Sequence, residues 1–415
     1  MKKIWFLNHY AIYSNHPGIT RHFDFGKELV KRRYEVTIFA SNFNHVNKTY
    51  INDFQGLYKE EFVEGVRFLW IKTYPSYKDN DWRRFLNMLS YAYEVIKVGL
   101  KLEERPDIIL GSSLHLFAAL SAYILSKRKK AKFVFEVRDL WPQSMVELGS
   151  YTRYHPIVWL MYKLEKFLYK RASKIIAVLP KIENYIEDLG IEKSKVIYIP
   201  NGVDLEPNDS KSGVLLPDGL EDSINSLKRS GKLIVAYVGS FGVANNVEII
   251  LEAAQIIHKS EFQNIHFLLV GDGNRKEKLV EYVEKNNLQN VSFFSAIPKK
   301  AVSYLLSKVD ITVIAWKNRK NLYKYGISAN KIFDYMAAAK PVVISINAAN
   351  NPVEEANCGI SIPPENAIEL AKALVYLSNM PMEDRIAMGN RGREYVRKHH
   401  SIPILVDKLV NAFNS

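Results

Sequence analysis

The sequence predicts an α/β protein with two doubly wound domains of similar size that face each other across a central cleft. Short runs rich in β-branched and aromatic residues alternate with longer helical patterns along the whole chain. Several of these runs are continuously apolar, as expected for parallel strands that are buried on both faces. A Pro-Asn-Gly break at residues 199–204 separates two such series.

Each series can be followed element by element. The predicted strands of the first series cover residues 3–7, 35–40, 67–71, 108–111, 132–136, 174–178 and 196–199. Those of the second series cover residues 233–238, 265–270, 291–294, 311–314 and 341–344. The helices between them include residues 22–33, 116–127, 247–259, 275–286, 331–338 and 367–378. Ligands of such sheets bind at the carboxyl ends of the strands, so a cleft between two sheets is the expected site.

The domain limits follow from the break. We expect a first domain at residues 1–200, a second at residues 201–390 and a C-terminal helix at residues 391–415 that packs back toward the first domain. The segment at residues 206–222 is rich in Pro, Gly, Asp and Ser, as is typical of a linker.

The composition excludes several classes of protein. The chain has 415 residues, 47% of them hydrophobic and 24% charged, which is ordinary for a globular protein and argues against extensive disorder. Its single cysteine, Cys358, cannot form an internal disulfide, which favours the cytoplasm. No apolar stretch reaches the roughly 20 residues of a membrane span. The chain starts like a signal peptide, but its apolar run is short and lacks a cleavage site, which indicates a first strand.

The positive charge is concentrated in the first half. Residues 1–200 carry 32 basic and 21 acidic side chains, a net of +11, whereas residues 201–415 carry 25 and 23, a net of +2. Within the first half, residues 82–102 and 151–171 combine helical periodicity with basic and aromatic residues, and Ile157, Leu160, Leu164 and Leu168 form an apolar stripe in the second stretch. Such helices suit an anionic membrane surface, although solvated basic helices with core aromatics are the alternative. No nucleic-acid-binding motif is present, so no nucleic acid is expected.

Two glycine turns of the second half follow predicted strands and precede helices. Gly239 and Ser240 follow residues 233–238, and Gly271 follows residues 265–270. Backbone amides at such turns can approach a phosphate closely. The turn at Gly271 is not a dinucleotide fingerprint, because Lys276 replaces the third glycine.

A third turn opens the first helix of the first half. His16, Gly18, Arg21 and His22 offer imidazoles, a flexible turn and a guanidinium, which suit a polyhydroxyl or phosphate ligand. The alternative is a helix cap by Thr20 with solvated neighbours.

Residues 325–341 form the most informative stretch. Ser328, Ala329 and Asn330 lead into a helix whose exposed amides and dipole would face a diphosphate. Lys331 is a cation in the first turn, where it is unfavourable unless an anion is bound. Asp334 lies on the same face and can accept hydrogen bonds from two ribose hydroxyls.

This stretch resembles the C-terminal signature of glycosyltransferase family 4, the retaining GT-B transferases, with Asp334 at the second acidic position and Gly326 where the first Glu usually lies. Residues 136–143, Glu-Val-Arg-Asp-Leu-Trp-Pro-Gln, resemble a segment of bacterial O-antigen and capsule transferases related to N-acetyl-L-fucosamine transferases. The resemblance covers nearly the whole chain. It implies two Rossmann-like domains, with a nucleotide-sugar donor in the C-terminal domain and a sugar acceptor against the N-terminal domain.

The resemblance also implies roles for individual residues. It implies that the donor is a UDP-sugar, such as a UDP-linked N-acetylated deoxyhexosamine, and that the acceptor is a polyprenyl-diphosphate-linked sugar on the inner face of the cell membrane. The predicted donor-binding residues are Gly18, Gly239, Ser240, Gly271, Lys317, Arg319, Ser328, Ala329, Asn330, Lys331 and Asp334. Lys317, Arg319 and Lys331 would replace the Arg and Lys that the family usually carries after the turn at Gly239. The predicted acceptor-binding residues are His16, Arg21 and His22.

The predicted catalytic residues are His115, Arg138 and Asp139, although His115 is alternatively a capping or core histidine. No cofactor or metal is expected, because amides and cations can stabilise the leaving diphosphate. We interpret Asp79-Asn80-Asp81, which looks like a metal-binding D-x-D, as the start of a helix instead.

Two other functions remain open. A nucleotide-sugar epimerase would share the fold, although its His-Arg-rich and Ser-Gly-Gly signatures are missing. A non-catalytic nucleotide-sugar-binding subunit of a polysaccharide assembly complex is the second alternative. An NAD oxidoreductase ranks last because the third glycine is absent.

Overall fold

The chain forms two compact units, each assembled from separate segments. The computed structural model describes residues 1–77, 82–147, 152–205, 216–217 and 219–415. The first unit contains residues 1–201, 321–328 and 402–415, and the second contains residues 202–320 and 329–401. A single division at residue 200 therefore leaves out two later segments of the first unit.

In the described residues up to 201, the first unit has ten strands and six α-helices. In chain order they are β1 (Lys3–Leu7), α1 (Arg21–Lys31), β2 (Glu35–Ser41), β3 (Phe43–Asn44), β4 (Thr49–Tyr50), β5 (Tyr58–Val63), β6 (Val66–Ile71), α2 (Trp82–Lys101), β7 (Ile108–Ser113), α3 (Leu116–Lys129), β8 (Lys132–Val137), α4 (Gln143–Glu147), α5 (Pro156–Arg171), β9 (Lys174–Ala177), α6 (Ile182–Asp188) and β10 (Val196–Tyr198). A 3-10 turn at Lys193–Lys195 precedes β10.

Eight of these strands form one sheet in the order β10-β9-β8-β7-β1-β2-β6-β5. All neighbouring pairs are parallel except β5 and β6. Strand β1 lies in the middle, with Leu7 opposite both Phe39 and Gly111. The carboxyl ends of β1, β7 and β8 therefore meet at one edge, where the side chains that follow them come together.

The second unit is a smaller parallel sheet covered by helices. Its elements are α7 (Leu220–Arg229), β11 (Leu233–Val238), a 3-10 turn (Val243–Asn245), α8 (Val247–His258), β12 (Ile265–Val270), α9 (Lys276–Lys285), β13 (Val291–Phe294), α10 (Lys299–Ser307), β14 (Ile311–Ala315), α11 (Lys320–Tyr323), α12 (Asn330–Ala337), β15 (Val342–Ser345), α13 (Pro352–Glu355), β16 (Gly359–Ile362), α14 (Ala367–Asn379) and α15 (Met382–His399). Helix α11 begins at the last residue of this unit and continues into the first unit. The strand order is β13-β12-β11-β14-β15-β16, and every pair is parallel.

The last helix, α16 (Ile402–Asn414), belongs to the first unit. Its buried side chains, which include Leu405, Leu409 and Phe413, share an apolar core with α1 and with β1, β2 and β6. Arg32 pairs with Asp407 across the contact between α1 and α16.

The structure confirms the predicted α/β class with two Rossmann-like units. The predicted strands agree with the observed ones to within one or two residues at each end, because buried parallel strands are continuous apolar runs. Four observed strands were not predicted: the two-residue strands β3 and β4, and strands β5 and β16. The edge strand β5 is mostly polar, and β16 follows a short helix without a clear break in the sequence.

The apolar stripe predicted in α5 is only partly buried. The helix buries Leu168 of that stripe together with Val158, Met161, Glu165 and Tyr169. The acid on this face is accommodated because the hydroxyls of Tyr169 and Tyr185 donate to its two oxygens at 3.0 and 2.8 Å.

As a result, Ile157 and Leu160 of the predicted stripe lie exposed on the surface of α5, and Leu164 is only half-buried. Within the described ranges, no helix has both the length and the apolar character that crossing a bilayer requires.

Candidate functional sites of the two units

A buried charged cluster lies at the carboxyl end of β8 in the first unit. Oε1 of Glu136 accepts from Nε of Arg21 at 2.9 Å, and Oε2 accepts from Oγ of Ser112 at 2.7 Å. Nε2 of His22 lies 2.9 Å from the same Oε2. Burial alone would raise the pKa of Glu136, but His22 and the guanidinium groups of Arg21 and Arg138 outweigh it and hold this pKa well below the usual range. Glu136 is therefore an ionised buried carboxylate.

The hydrogen bonds of His22 define its tautomer. The side-chain oxygen of Asn8 accepts the N–H of Tyr10 at 3.1 Å, so its NH₂ group faces Nδ1 of His22 at 2.8 Å. Nδ1 is then an acceptor, and the proton of the neutral ring is on Nε2, the nitrogen close to Oε2 of Glu136. Because burial lowers the pKa of His22, the ring is neutral near pH 7.

Arg21 extends this cluster toward the end of the first unit's main segment. Its terminal nitrogens donate to the carbonyl oxygens of Ile199 and Pro200. Both Arg21 and His22 are almost fully buried, so the structure uses them to hold Glu136 and the chain at residues 199–200. Their predicted contacts with an acceptor stay predictions.

Arg138 lies beside the same cluster with few partners. It is 7% exposed, and its Nη2 donates to Oδ1 of Asn201 over a long 3.4 Å. Its Nε and Nη1 are buried without an acceptor in the described part of the chain. The next residue, Asp139, is exposed.

Asn201 connects this region to the segment at residues 321–328. Its backbone N–H donates to Oγ of Ser328 at 2.8 Å, and its side-chain NH₂ donates to the Ser328 carbonyl. The predicted donor-binding Ser328 is thus a partner of Asn201 within the first unit.

His115 is a capping residue in the structure. It is fully buried, and its Nδ1 accepts the N–H of Ala118 at 3.3 Å at the start of α3. Its Nε2 must then carry the proton, which it donates to Nδ1 of His9 at 2.8 Å. Burial lowers the pKa of His115 to about 3, so the ring is neutral. The structure therefore shows the capping histidine that the sequence analysis gave as an alternative, and the predicted catalytic role of His115 stays a prediction.

A small cavity lies next to the turn before α1. His9, Tyr10, Gly18 and His45 contribute to its lining. His16 is half-buried with its ring 4.9 Å from that of Tyr13.

The alternative role of Thr20 is only partly realised. Thr20 stands at the N-cap position of α1, but its hydroxyl donates to Asp24 at 2.7 Å instead of capping an amide.

In the second unit, the first turn of α12 places a half-buried cation near the glycine turns. Nζ of Lys331 donates to the hydroxyl of Tyr237 and to Oδ1 of Asn245, both at 2.8 Å. In the described ranges, no carboxylate lies within ion-pair distance of this ammonium group. Burial lowers the pKa of Lys331 to about 7. A charged amine without a carboxylate partner is what an anion-binding site requires.

Gly239 and Gly271 allow the backbone to pack closely at this place. A Cβ atom on Gly239 would lie 3.0 Å from Nζ of Lys331, and one on Gly271 would lie 1.8 Å from the Gly239 carbonyl oxygen. A side chain at either position would therefore displace the ammonium group or the turn. Ser240 holds the turn through its carbonyl, which accepts from the Tyr237 hydroxyl and from the Asn245 amide.

Asp334 forms an ion pair that the sequence does not reveal. Both of its carboxylate oxygens lie 2.5 Å from Nζ of Lys299, the first residue of α10. Ala329 and Asn330 are half-buried at the start of α12. Lys317 and Arg319 follow β14, and the Lys317 N–H donates to the Ala244 carbonyl at 3.4 Å.

Comparisons with known proteins agree with this geometry. The profile of Glycosyltransferase Family 4 matches residues 18–207, and that of Glycosyl transferases group 1 matches residues 232–380. The probable glycosyltransferase WbjE of Pseudomonas aeruginosa is 19% identical over 329 residues, which span 77% of this chain and 78% of that protein. The chain belongs to the GT-B glycosyltransferases.

The chain is also similar to a second curated protein and to a solved structure. The putative colanic acid biosynthesis glycosyl transferase WcaI of Escherichia coli K12 is 23% identical over 264 residues, 63% of each chain. The structure of Anabaena Alr3699/HepE in complex with UDP-glucose shares the fold, with a TM-score of 0.68 at 14% identity over 100% of both chains.

Several residues of this glycosyltransferase's sites were missed by sequence reasoning. Glu136 is the first residue of the recognised motif, yet nothing in the motif indicated its partners. Tyr237 and Asn245 flank the predicted turn at Gly239, so their closeness to this turn in the sequence is the signal that could have identified them. No signal in the sequence pointed to Lys299, because it lies 35 positions before Asp334.

The metal prediction was not tested by the geometry. Over the ranges that the structure describes, no group of three potential metal-ligating side chains occurs. Asp79, Asn80 and Asp81 lie outside those ranges.

Proposed function

We propose that this glycosyltransferase moves a sugar from a UDP-sugar to a lipid-linked sugar acceptor, with retention of the anomeric configuration, in the synthesis of a surface polysaccharide. The observation that carries the proposal is the ammonium group of Lys331, which is held by two neutral oxygens beside Gly239 at the start of α12. A diphosphate supplies the anion that this group lacks.

The residues of the second unit have defined tasks in this proposal. In the transition state, negative charge grows on the departing diphosphate while positive charge grows at the anomeric carbon. Lys331 and the free amides at the start of α12 would stabilise the departing charge, because both are fixed before the reaction begins. Gly239 and Gly271 let the diphosphate approach the backbone closely. No metal is needed for this step, and activity in the presence of a chelator tests that point.

The ribose would be bound by Asp334. Its carboxylate is held by Lys299 through both oxygens, and a carboxylate has further lone pairs that accept from hydroxyls. Lys299 is then a positioning residue for the ribose contact.

The identity of the donor rests on similarity. The HepE structure was determined with UDP-glucose, which supports uridine as the base here. The resemblance of residues 136–143 to N-acetyl-L-fucosamine transferases favours an N-acetylated deoxyhexosamine as the sugar. The name of WcaI assigns that protein to colanic acid biosynthesis, which supports a surface polysaccharide as the product.

The acceptor's lipid would bring the enzyme to a membrane surface. At the start of α5, the side chains of Trp159 and Leu160 are 59% and 62% exposed, and Nζ of Lys163 lies 5.2 Å from the centre of the Trp159 ring. At the start of α2, Trp82 and Phe85 are also exposed. Large apolar side chains beside cations suit the headgroup region of an anionic bilayer.

Both helices flank α3 in the first unit. Phe85 of α2 contacts Phe117, and Phe167 of α5 contacts Tyr123, with ring centres 5.5 and 5.2 Å apart. We infer that α2 and α5 are the membrane-facing helices of a cytoplasmic, peripheral enzyme.

The decisive experiment is turnover by the purified chain. A panel of UDP-sugars, with UDP-N-acetyl-L-fucosamine included, is incubated with a polyprenyl-diphosphate-linked sugar, and the product and its anomeric configuration are determined. Transfer that is lost in Lys331→Met but kept in Lys340→Met supports the proposal. Conversion of the donor without an acceptor would indicate an epimerase, and nucleotide-sugar binding without any turnover would indicate a non-catalytic subunit.

A further inference from the structure

Arg138 is the most unusual charged group of the first unit. Its side chain is 93% buried, since 7% is exposed, and its hydrogen bond to Asn201, the one it makes among the described residues, is long at 3.4 Å. Nε and Nη1 are buried without an acceptor in the described ranges. Burying a guanidinium with unused donors is costly, so the free protein maintains this arrangement at the expense of stability.

The nearby carboxylate of Glu136 interacts electrostatically with Arg138 but does not accept a hydrogen bond from it. Oε1 of Glu136 is taken by Arg21, and Oε2 is taken by Ser112 and His22. No carboxylate of the described residues lies within ion-pair distance of Arg138. Since His22 is neutral, the hydrogen-bonded cluster has one carboxylate, Glu136, for the guanidinium groups of Arg21 and Arg138. The Asp139 carboxyl acts on Arg138 only at longer range, so Arg138 has no carboxylate in an ion pair with it.

The guanidinium group of Arg138 lies at the sheet edge where ligands of such folds generally bind. Arg138 directly follows β8, at the carboxyl edge of the parallel sheet. Glu136 holds Arg21 at 2.9 Å and lies 2.9 Å from His22, so this buried cluster lies beside Arg138. We propose that Arg138 is the binding residue for an anionic oxygen group of the sugar or lipid substrate, either a phosphate or a sugar carboxylate, and that Glu136 positions this site.

This inference deepens the proposed transfer reaction, because it names the chemistry of the substrate that enters the first unit. A substrate with only hydroxyl groups at this place would leave the charge uncompensated. A phosphate or carboxylate oxygen would accept the unused N–H groups through charge-assisted hydrogen bonds.

The test measures anion binding directly. Wild-type protein saturated with UDP is titrated by calorimetry with inorganic phosphate, with glucuronate and with glucose, at constant ionic strength. Saturating UDP occupies the Lys331 site, so the remaining anion response reports on Arg138. We expect one of the two anions to bind and glucose not to bind. Phosphate and glucuronate distinguish the two sources of the anionic group.

Three variants make the result specific. Arg138→Met should weaken anion binding about 10- to 100-fold, Arg138→Lys should weaken it less, and the exposed Arg128→Met should leave it unchanged. In the absence of ligand, Arg138→Met should unfold at the same or a higher temperature than wild type, because it removes an unsatisfied buried charge. A merely structural arginine would lower this temperature.

Two results would overturn the proposal. One is the absence of any Arg138-dependent response to either anion up to about 100 mM. The other is an Arg138→Met protein that is less stable and binds the anion as wild type does. If the protein does not bind UDP at all, the proposed function fails, but the same titration in Lys331→Met without UDP still tests Arg138 by itself.

Discussion

The ammonium group of Lys331 predicts that UDP binding depends on pH. Burial lowers its pKa to about 7, so the free protein loses this charge as the pH rises above 7. A bound diphosphate stabilises the charged form and raises the pKa again. Binding of UDP is therefore coupled to uptake of a proton, and the affinity must fall as the pH increases through the mildly alkaline range.

The size of the effect follows from this pKa. Between pH 7.5 and pH 8.5, the charged fraction of Lys331 in the free protein falls about eightfold, and the dissociation constant of UDP rises by about the same factor. At pH 7.5, about 0.8 proton should be taken up for each UDP bound. The free energy of unfolding depends on pH in the opposite direction to UDP affinity. Because the pKa of Lys331 in the folded protein lies below its ordinary value of 10.5, the folded state becomes more stable as the pH rises from about 7 to 10.5.

Calorimetry in phosphate-free buffers of different ionisation enthalpy measures both the affinity and the proton uptake. Lys331→Arg should bind UDP with little dependence on pH, because arginine stays charged, and Lys331→Met should bind weakly at every pH. Lys340, which is also half-buried and lies just beyond α12, is the matched control, and Lys340→Met should keep the wild-type dependence. A wild-type affinity that is constant from pH 7.5 to 8.5, or an equal slope in Lys331→Met, would refute the reasoning.

Three more predictions concern other parts of the molecule. Lys299→Met should reduce the preference for UDP over 2′-deoxy-UDP about tenfold, as measured by competition, because Asp334 loses its support; equal weakening of both nucleotides would contradict a role through the ribose. Burial raises the pKa of Glu165 to about 8, so wild type should lose stability between about pH 5 and 8, and urea unfolding of Glu165→Gln should lack that loss. Trp159→Ala should weaken sedimentation with anionic vesicles about tenfold, whereas Tyr376→Ala, which removes an exposed aromatic of the second unit, should not; equal effects would argue against α5 as the membrane-facing helix.

Much of the fold could be predicted because its main signal is local. Strands such as β1, β11 and β12 are continuous apolar runs whose limits are read directly from the sequence. The face of α5 could not be predicted in this way. Its buried side includes Glu165, whose charge looks like a surface feature until the two tyrosines that bind it are known.

The same difference between local and long-range signals applies to the candidate sites. Lys331 and Gly239 were predicted from strand-turn-helix patterns, and in the structure a Cβ atom added to Gly239 would lie 3.0 Å from Nζ of Lys331. The partners of Glu136 and Asp334 could not be predicted, because Arg21 is 115 positions away from the first and Lys299 is 35 positions from the second. Such pairs depend on the order of strands in the sheet, which the sequence pattern alone does not specify.

Helix α16 has a consequence for how the protein is made. Its apolar face completes the core of the first unit, yet residues 202–320 and 329–401 are synthesised before it. At about 5–20 residues per second, the ribosome needs roughly 10–40 s to add the intervening chain. During that time Phe23, Leu29 and their neighbours lack the partners that Leu405 and Phe413 later provide. Expression of residues 1–201 alone would leave this surface open, whereas a circular permutant that begins with residues 402–415 would have the helix available as soon as residues 1–201 are translated.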